Sequence, residues 1–175
     1  MSVLQVQTLQ GPTSGANSNT VLIPDTNKLY AKGHVVQVQT YHVGNLSGDI
    51  STTSSTFQNS GAAVNITPQF SDSLIICDFV APMSNLSAAA SNNLTTRLLL
   101  NSVQYGGQYT TGYMTPIGST VSNYQPSTFK TVHSTLAAGT AVEFKVQFRS
   151  TVNGQNVYLS NDQSSITMTV TEIAQ

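Results

Sequence analysis

The stretch Val142-Glu143-Phe144-Lys145-Val146-Gln147-Phe148-Arg149 decides the fold class of this chain. Apolar and polar side chains alternate at every position, which is the period of a β-strand with one buried and one solvated face. We therefore predict that the Val and Phe side chains of this strand enter a hydrophobic core, and that its four polar side chains face solvent.

Strand patterns recur from His34 to the end of the chain, with turn residues between them. The run Leu74–Val80 is apolar on both faces, which indicates a central strand. About eight predicted strands lie near residues 36–42, 57–66, 74–80, 94–103, 129–136, 142–149, 156–160 and 165–173. Since no amphipathic helix interrupts them, the sequence predicts an all-β domain over residues 34–175, an antiparallel β-sandwich or jelly roll.

Residues 1–33 differ from this body. Two short apolar segments flank the turn-rich stretch Gly11–Asn19, and Pro24 ends the second of them. We predict an extended N-terminal arm that cannot bury its apolar side chains against itself, so these residues need a partner. That partner is the body of the same chain, a neighbouring subunit or a tethering surface, and the alternative is a flexible terminus. The predicted docking residues are Leu4, Val6, Leu9, Val21, Leu22 and Ile23.

The composition is poor in charge. Only 7% of the residues are charged, whereas 39% are hydrophobic, so the chain is expected to fold and to owe its solubility to hydroxyl and amide groups. Because the chain carries few charges, the electrostatic free energy lost when one copy packs against another is small, which predicts self-association. The six scattered basic residues form no stripe for phosphate, so we expect no nucleic-acid partner. We expect no secretion signal and no membrane insertion, because no apolar run is long enough.

No catalytic residue, metal site or cofactor is expected. Seven acids and three histidines leave few acid–base pairs, and the phosphate-loop, dinucleotide-binding and serine-hydrolase motifs are missing from the sequence. Asp78 is the most interesting single charge because it lies in the most apolar strand; we expect an exposed strand end there, or a pair with Arg97 on a neighbouring strand. The neighbouring Cys77 is predicted to be a buried, inert thiol.

One tyrosine-rich segment indicates a recognition or interface surface. Tyr105, Tyr109 and Tyr113 share strand parity within a segment rich in Gly and Thr, and Tyr124 follows it. Binding loops use such residues for rigid contact area and adaptable hydrogen bonds. The row therefore binds a glycan or a protein, or it packs in a subunit interface, where tyrosine is also enriched.

Several short segments together carry a family resemblance. Val3–Gln10, Gly33–Val38, the Ile66-Thr67-Pro68 turn with Ser71-Asp72-Ser73, and the ending Thr169–Gln175 resemble, in their joint order, small virion proteins of marine and freshwater tailed bacteriophages, including cyanophages. The resemblance implies a homotrimeric jelly roll similar to tumour-necrosis-factor or lectin-like domains. It also implies that Tyr41 or the row from Tyr105 to Tyr113 lies near the trimer axis.

The resemblance further implies a non-enzymatic function in the virion. We expect a capsid decoration or cement protein, made in the host cytoplasm and displayed on the capsid exterior, whose arm docks on the major capsid protein or another virion protein. The alternative is a tail-fibre tip or receptor-binding module that recognises a host surface glycan. A virion-bound polysaccharide hydrolase ranks third, because paired carboxylates are needed and acids are scarce.

Overall fold

The structure of this protein is a computed structural model, and it describes residues 31–44, 48–85, 93–110, 123–133, 136–160 and 165–175. The chain divides between Ala31 and Lys32 into two units, and every strand described below belongs to the second. The predicted boundary after Gly33 stays a prediction. The predicted docking residues and Tyr113 lie outside the described residues; these docking residues are Leu4, Val6, Leu9, Val21, Leu22 and Ile23.

The described residues contain β-strands and no helix, so the all-β prediction is confirmed. The strands are β1 (Val35–Val43), β2 (Ile50–Thr52), β3 (Gln58–Ile66), β4 (Leu74–Asn85), β5 (Leu94–Leu100), β6 (Val103–Thr110), β7 (Asn123–His133), β8 (Val142–Ser150), β9 (Val157–Ser160) and β10 (Ile166–Ile173).

Eight of these strands form two antiparallel sheets. Sheet A has the order β1-β10-β4-β7, and sheet B has the order β3-β8-β5-β6. This distribution of eight strands over two four-stranded sheets is that of a jelly roll, which confirms the predicted antiparallel β-sandwich. The short strands β9 and β2 pair with each other and extend sheet A, because β9 joins the far end of β4 at Ser84 and Asn85.

The core lies between the inward faces of the two sheets. In β8 the buried and half-buried positions alternate without interruption, as predicted, and Phe144 is 1% exposed. Strand β10 shows the same alternation and packs Met168 and Val170 into the core from the facing sheet. The largest fully buried aromatic side chains are Phe79, Phe144 and Phe148.

Two strands were not predicted as separate elements, namely β2 and β6. The predicted strand at 94–103 runs through a tight turn at Asn101 and Ser102, whose φ angles are 47° and 67°. Positive φ at both central residues is the requirement of the turn that best matches the twist of a β-hairpin. Asn tolerates this conformation but Ser seldom adopts it, so the pair is a weak turn signal in the sequence.

Strand β4 is longer than predicted because it continues through Pro82. Proline cannot donate to a ladder and therefore argues against a strand in the sequence. In the structure Pro82 lies between Val80, the last residue of β4 paired with β10, and Ser84, the first paired with β9. On the side of β4 where β10 and β9 pair, no strand of the described residues lies opposite Pro82, so the N–H group that proline lacks is not needed for a hydrogen bond there.

The core assignment predicts a contrast between two neighbouring residues of β8. Phe144→Ala is expected to lower the free energy of unfolding by about 3–5 kcal/mol, because it leaves a cavity between the sheets. Glu143→Ala is expected to cost less than about 1 kcal/mol, because it removes only a partly exposed ion pair with Lys145 at 2.8 Å. Urea denaturation of both variants tests this contrast, and equal losses would contradict the assigned strand face.

Candidate functional site

The structure places the predicted tyrosines on different parts of the sandwich. Tyr41 lies in β1, opposite Met168 in β10, and its side chain is half-buried against the core. Tyr105 lies in β6 of sheet B, opposite Leu98, and is also half-buried against the core. Since β1 packs beside β3, which is at the other end of sheet B from β6, Tyr41 and Tyr105 lie at opposite edges.

The tyrosine row itself is interrupted by a bulge. Leu98 pairs with Tyr105 and the adjacent Arg97 pairs with Gln108, so Gly106 and Gly107 are additional residues in β6. Gly106 has a φ of 73°, a left-handed conformation that suits glycine at a bulge. Tyr109 and Tyr124 belong to β6 and β7 by their backbone, and their side chains lie outside the described part. A shared recognition surface for these tyrosines stays a prediction.

The predicted pair between Asp78 and Arg97 is wrong. Asp78 has the outward parity of β4 in sheet A, because the adjacent Cys77 and Phe79 are buried. Arg97 has the outward parity of β5 in sheet B, so the two side chains point away from each other on opposite faces of the sandwich. The residue directly opposite Asp78 in β7 is Lys130.

Cys77 is buried in the core, as predicted. Burial raises the pKa of its thiol to about 12, and the neighbouring Asp78 charge adds to this shift. A thiol with such a pKa stays protonated at neutral pH, and the thiolate is the reactive form. The residue is therefore a packing residue rather than a nucleophile.

Glu172 is a buried carboxylate that the sequence interpretation missed. One of its oxygens, Oε1, accepts hydrogen bonds from the backbone N–H of Gln69 at 2.8 Å and of Phe70 at 3.1 Å, and from Ser73 Oγ at 2.7 Å. Its other oxygen, Oε2, accepts one from Gln37 Nε2 at 2.6 Å. Four donors occupy the carboxylate, so it fixes the turn between β3 and β4 and has little capacity left for a ligand.

The position of Glu172 in the sequence already indicates that its side chain points toward the core. It has the same parity as Ile166, Met168 and Val170, the inward residues of the last strand. A carboxylate in phase with an apolar face must find hydrogen-bond donors if that part of the strand is covered. The sequence contains this signal but does not say which segment supplies the donors.

The outer face of sheet B carries the best candidate for a functional site. Arg97 in β5 and Arg149 in β8 are diagonal neighbours, since Arg97 pairs with Gln147 and Thr95 pairs with Arg149. The ring of Phe57, which precedes β3, reaches over β8 so that its centroid lies 4.1 Å from Cζ of Arg97 and 4.7 Å from Cζ of Arg149. These are cation–π distances, and we call Arg97, Arg149 and Phe57 the arginine–phenylalanine cluster.

Amide side chains position the first arginine. Arg97 donates through Nε and Nη2 to Gln147 Oε1, at 2.9 and 2.6 Å, and through Nη1 to Gln104 Oε1 at 3.3 Å. Gln147 Nε2 donates in turn to Asn59 Oδ1 at 2.8 Å. The network runs across β3, β8, β5 and β6 and holds the guanidinium of Arg97 in one orientation.

The second arginine is held less tightly. Arg149 donates through Nη2 to Gln108 Oε1 at 3.2 Å and through Nη1 to the carbonyl oxygen of Ser55 at 3.4 Å. Its Nε is buried and has no hydrogen-bond partner. Within the described part of the chain, every hydrogen-bond acceptor that contacts Arg97 or Arg149 is a neutral oxygen atom.

The cluster makes sheet B locally cationic. Its four strands carry Arg97, Arg149 and Lys145 against one carboxylate, Glu143, which is already paired with Lys145. The chain as a whole has a formal charge of −1, so the positive charge on this face is an asymmetry of distribution. Such a face attracts an anionic ligand group.

Part of the arginine–phenylalanine cluster could be predicted from the sequence. Arg149 is one of the polar residues predicted to face solvent in the strand at 142–149. Arg97 also lies in a predicted strand, but no sequence signal shows that the two strands are neighbours or that they pair with Arg97 opposite Gln147. Phe57 comes from a third segment, whose approach is a tertiary contact.

The described ranges contain neither a metal-binding cluster nor a membrane-spanning helix. Within them, no group of three or more His, Cys, Asp or Glu side chains is placed to hold a metal ion. The Nδ1 atom of His42 lies 2.9 Å from Thr167 Oγ1, a hydrogen-bond distance on the outer face of sheet A. In the same ranges there is no helix of the length and apolarity that a membrane span requires.

The two solved structures named below are distant likenesses of this chain. The chain matches no protein-family model and none of the curated proteins compared. Dimeric latent PorU from Porphyromonas gingivalis is similar with a TM-score of 0.47 and 12% identity, covering 94% of this chain and 14% of that chain. Eiger TNF from S. frugiperda is similar with a TM-score of 0.27 and 10% identity, covering 75% of this chain and 84% of that chain. The jelly-roll assignment rests on the strand order of the protein itself.

The hydrogen bonds from the turn between β3 and β4 to Glu172 predict an effect of this residue on stability. Glu172→Gln is expected to lower the free energy of unfolding by about 1–3 kcal/mol, because an amide has one acceptor oxygen where the carboxylate has two, and because hydrogen bonds to a charged acceptor are the stronger ones. Glu143→Gln is the matched control on the surface, with an expected change below about 1 kcal/mol. Urea denaturation measures both, and an unchanged stability of Glu172→Gln would show that the turn does not depend on the carboxylate charge.

Proposed function

We propose that this protein is a non-enzymatic structural protein of a tailed-bacteriophage virion, and within that class a capsid decoration or cement protein on the capsid exterior. The observation that carries the proposal is the outer face of sheet A. Its described side chains are apolar or hydroxyl-bearing apart from His42 and one carboxylate, Asp78, and two of its valines, Val38 and Val80, are 52% and 43% exposed.

Such a face suits contact with another protein. Its apolar end is formed by residues that are neighbours across β1, β10 and β4, namely Val35, Val38, Leu74, Ile76 and Ile173. Packing this surface against a subunit removes apolar area from water and desolvates few charges. The resemblance of the sequence to small virion proteins supplies the kind of subunit, a copy of the same chain or a capsid protein.

The predicted arm supplies the attachment in this proposal. In the described part, all strands begin at Val35 or later, so the predicted docking residues belong to none of these strands. In this proposal the apolar residues from Leu4 to Ile23 dock on the major capsid protein. A protein that binds only the assembled shell stabilises that shell by mass action.

A homotrimer is part of the proposal. Cyclic trimers use heterologous contacts, in which one surface of a protomer meets a different surface of the next. Tyr41 and Tyr105 lie at opposite edges of one sandwich, so a cyclic arrangement would bring the β1 edge of one protomer to the β6 edge of its neighbour. Both tyrosines would then contribute to one repeated interface.

A tail-fibre tip or receptor-binding module is the second candidate. The arginine–phenylalanine cluster favours it, because a positively charged face surrounded by amide side chains is suited to recognise a ligand rather than to pack against a neutral subunit. This candidate would place the protein at the tail, with a host surface glycan as its partner.

Localisation in intact particles tests the proposal. Cryo-electron microscopy of virions with and without this protein is expected to show its density on the capsid exterior, and particles without it are expected to rupture at lower temperature or osmotic stress. Density at the tail, with normal shells and lost adsorption to host cells, would replace the decoration role by the receptor-binding role. Absence of density from the virion would reject both.

The arm predicts a second outcome. Deletion of residues 1–33 is expected to leave a folded body, since every core residue in the described part of the chain lies after residue 33, but to abolish attachment to purified capsids. Circular dichroism and sedimentation measure folding, and co-sedimentation with capsids measures attachment. A truncated protein that unfolds, or one that still binds capsids as tightly as the full chain, would contradict the role of the arm.

A further inference from the structure

The arginine–phenylalanine cluster has more donor capacity than the protein uses. In the described part of the chain, no carboxylate lies within ion-pair distance of Arg97 or Arg149, and each guanidinium contacts only neutral oxygens. Among the described residues, the buried Nε of Arg149 has no hydrogen-bond partner. Charged donors that are paired only with neutral acceptors gain free energy when an anionic acceptor takes their place, so this site would be stabilised by an anion.

The geometry of the donors favours a planar oxyanion. A guanidinium presents its N–H groups as a rigid fork that matches the two oxygens of a carboxylate, and such bidentate hydrogen bonds are stronger than those to neutral acceptors. The two contacts of Arg149, at 3.2 and 3.4 Å, are long and are easily exchanged for shorter ones. Arg149 is therefore the residue that would bind the anion, and Arg97 would add its charge beside it.

The surroundings of the cluster suit a sugar. Gln104 and Gln108 are exposed on β6, beside Arg97 and Arg149, and their amides can both donate to and accept from hydroxyl groups. The space above Gly106 and Gly107 is open, since an added Cβ would meet no atom within 4 Å. Among the described residues, none would therefore obstruct a ligand that lies over these two glycines.

The same features disfavour other anions. Two arginines are too few for a nucleic-acid backbone, which is bound by many phosphate contacts. An inorganic anion would use the guanidiniums but not the neighbouring glutamine amides or the carbon surface of the half-buried Phe57. A carbohydrate that carries a carboxylate uses all three kinds of group.

We propose that the outer face of sheet B, at Arg97, Arg149, Phe57 and the neighbouring Gln104 and Gln108, binds a carboxylated saccharide of the uronic-acid type. Arg149 holds the carboxylate, Arg97 stabilises its charge, and the glutamines bind hydroxyl groups. The site belongs to the isolated protein, so it does not depend on the position of the protein in a virion.

Titration of the full chain with tetragalacturonate tests the site. The native protein is expected to bind the tetramer at least about tenfold more tightly than its methyl ester, which keeps the sugar rings and removes the charge. Arg149→Gln and Arg97→Gln are each expected to weaken binding by at least about tenfold. Lys145→Gln removes a positive charge from the same face outside the cluster and is expected to change the affinity by less than about twofold.

Three results of the comparisons between ligands and between variants would overturn the proposal. They are equal binding of the ester and the acid, equal losses in Lys145→Gln and Arg149→Gln, and binding of polyglutamate or dextran sulfate as tight as that of tetragalacturonate. The last result would assign the face to an acidic polypeptide or to sulfate groups. Failure of the native protein to bind tetragalacturonate would also reject the site.

A second measurement covers the case in which an arginine variant does not fold. Arg149→Lys keeps the charge and removes the fork, so it is expected to stay folded and to lose most of the preference for acid over ester. In the native protein, amide chemical shifts on titration are expected to change at residues 104–108 and 147–149. Changes confined to other parts of the chain would show that the saccharide binds elsewhere and would reject this site, whereas the capsid or tail assignment would be unaffected.

Discussion

Burial of two alternating strand faces against each other is the interaction on which the rest of this structure depends. Phe79 and Met168 from sheet A and Phe144 and Phe148 from sheet B are almost fully excluded from water. In a strand, burying every second side chain commits the others to the outer face. The core therefore also determines which polar residues are available on the two outer surfaces, and Arg97 and Arg149 are among them.

The two outer faces then differ in chemistry. Sheet A presents valines, threonines and isoleucine with little charge, which suits packing against a protein surface. Sheet B presents two guanidiniums around Phe57 within a network of amides, which suits recognition of a polar, anionic group. In the functions proposed above, one small sandwich associates through sheet A and recognises a ligand through sheet B.

The accuracy of sequence prediction differed between kinds of feature. The inward and outward residues of Val142–Arg149 were correct because alternation is a local property of one strand. Strand β6 was missed because the Asn101–Ser102 turn is a weak signal, and the extension of β4 was missed because Pro82 argues against a strand. The Asp78–Arg97 pair was wrong because neighbouring strands in the sequence can lie in different sheets.

The sequence by itself determined the fold class, the parity of most core strands and the scarcity of charge, because each follows from residue type and a period of two along a single segment. Tertiary structure alone decided which strands are neighbours and in what register. That choice assembles Phe57, Arg97 and Arg149 from three segments and surrounds the carboxylate of Glu172 with donors from two others. The physical reason is that strand pairing depends on the joint burial of the whole core, which no single segment specifies.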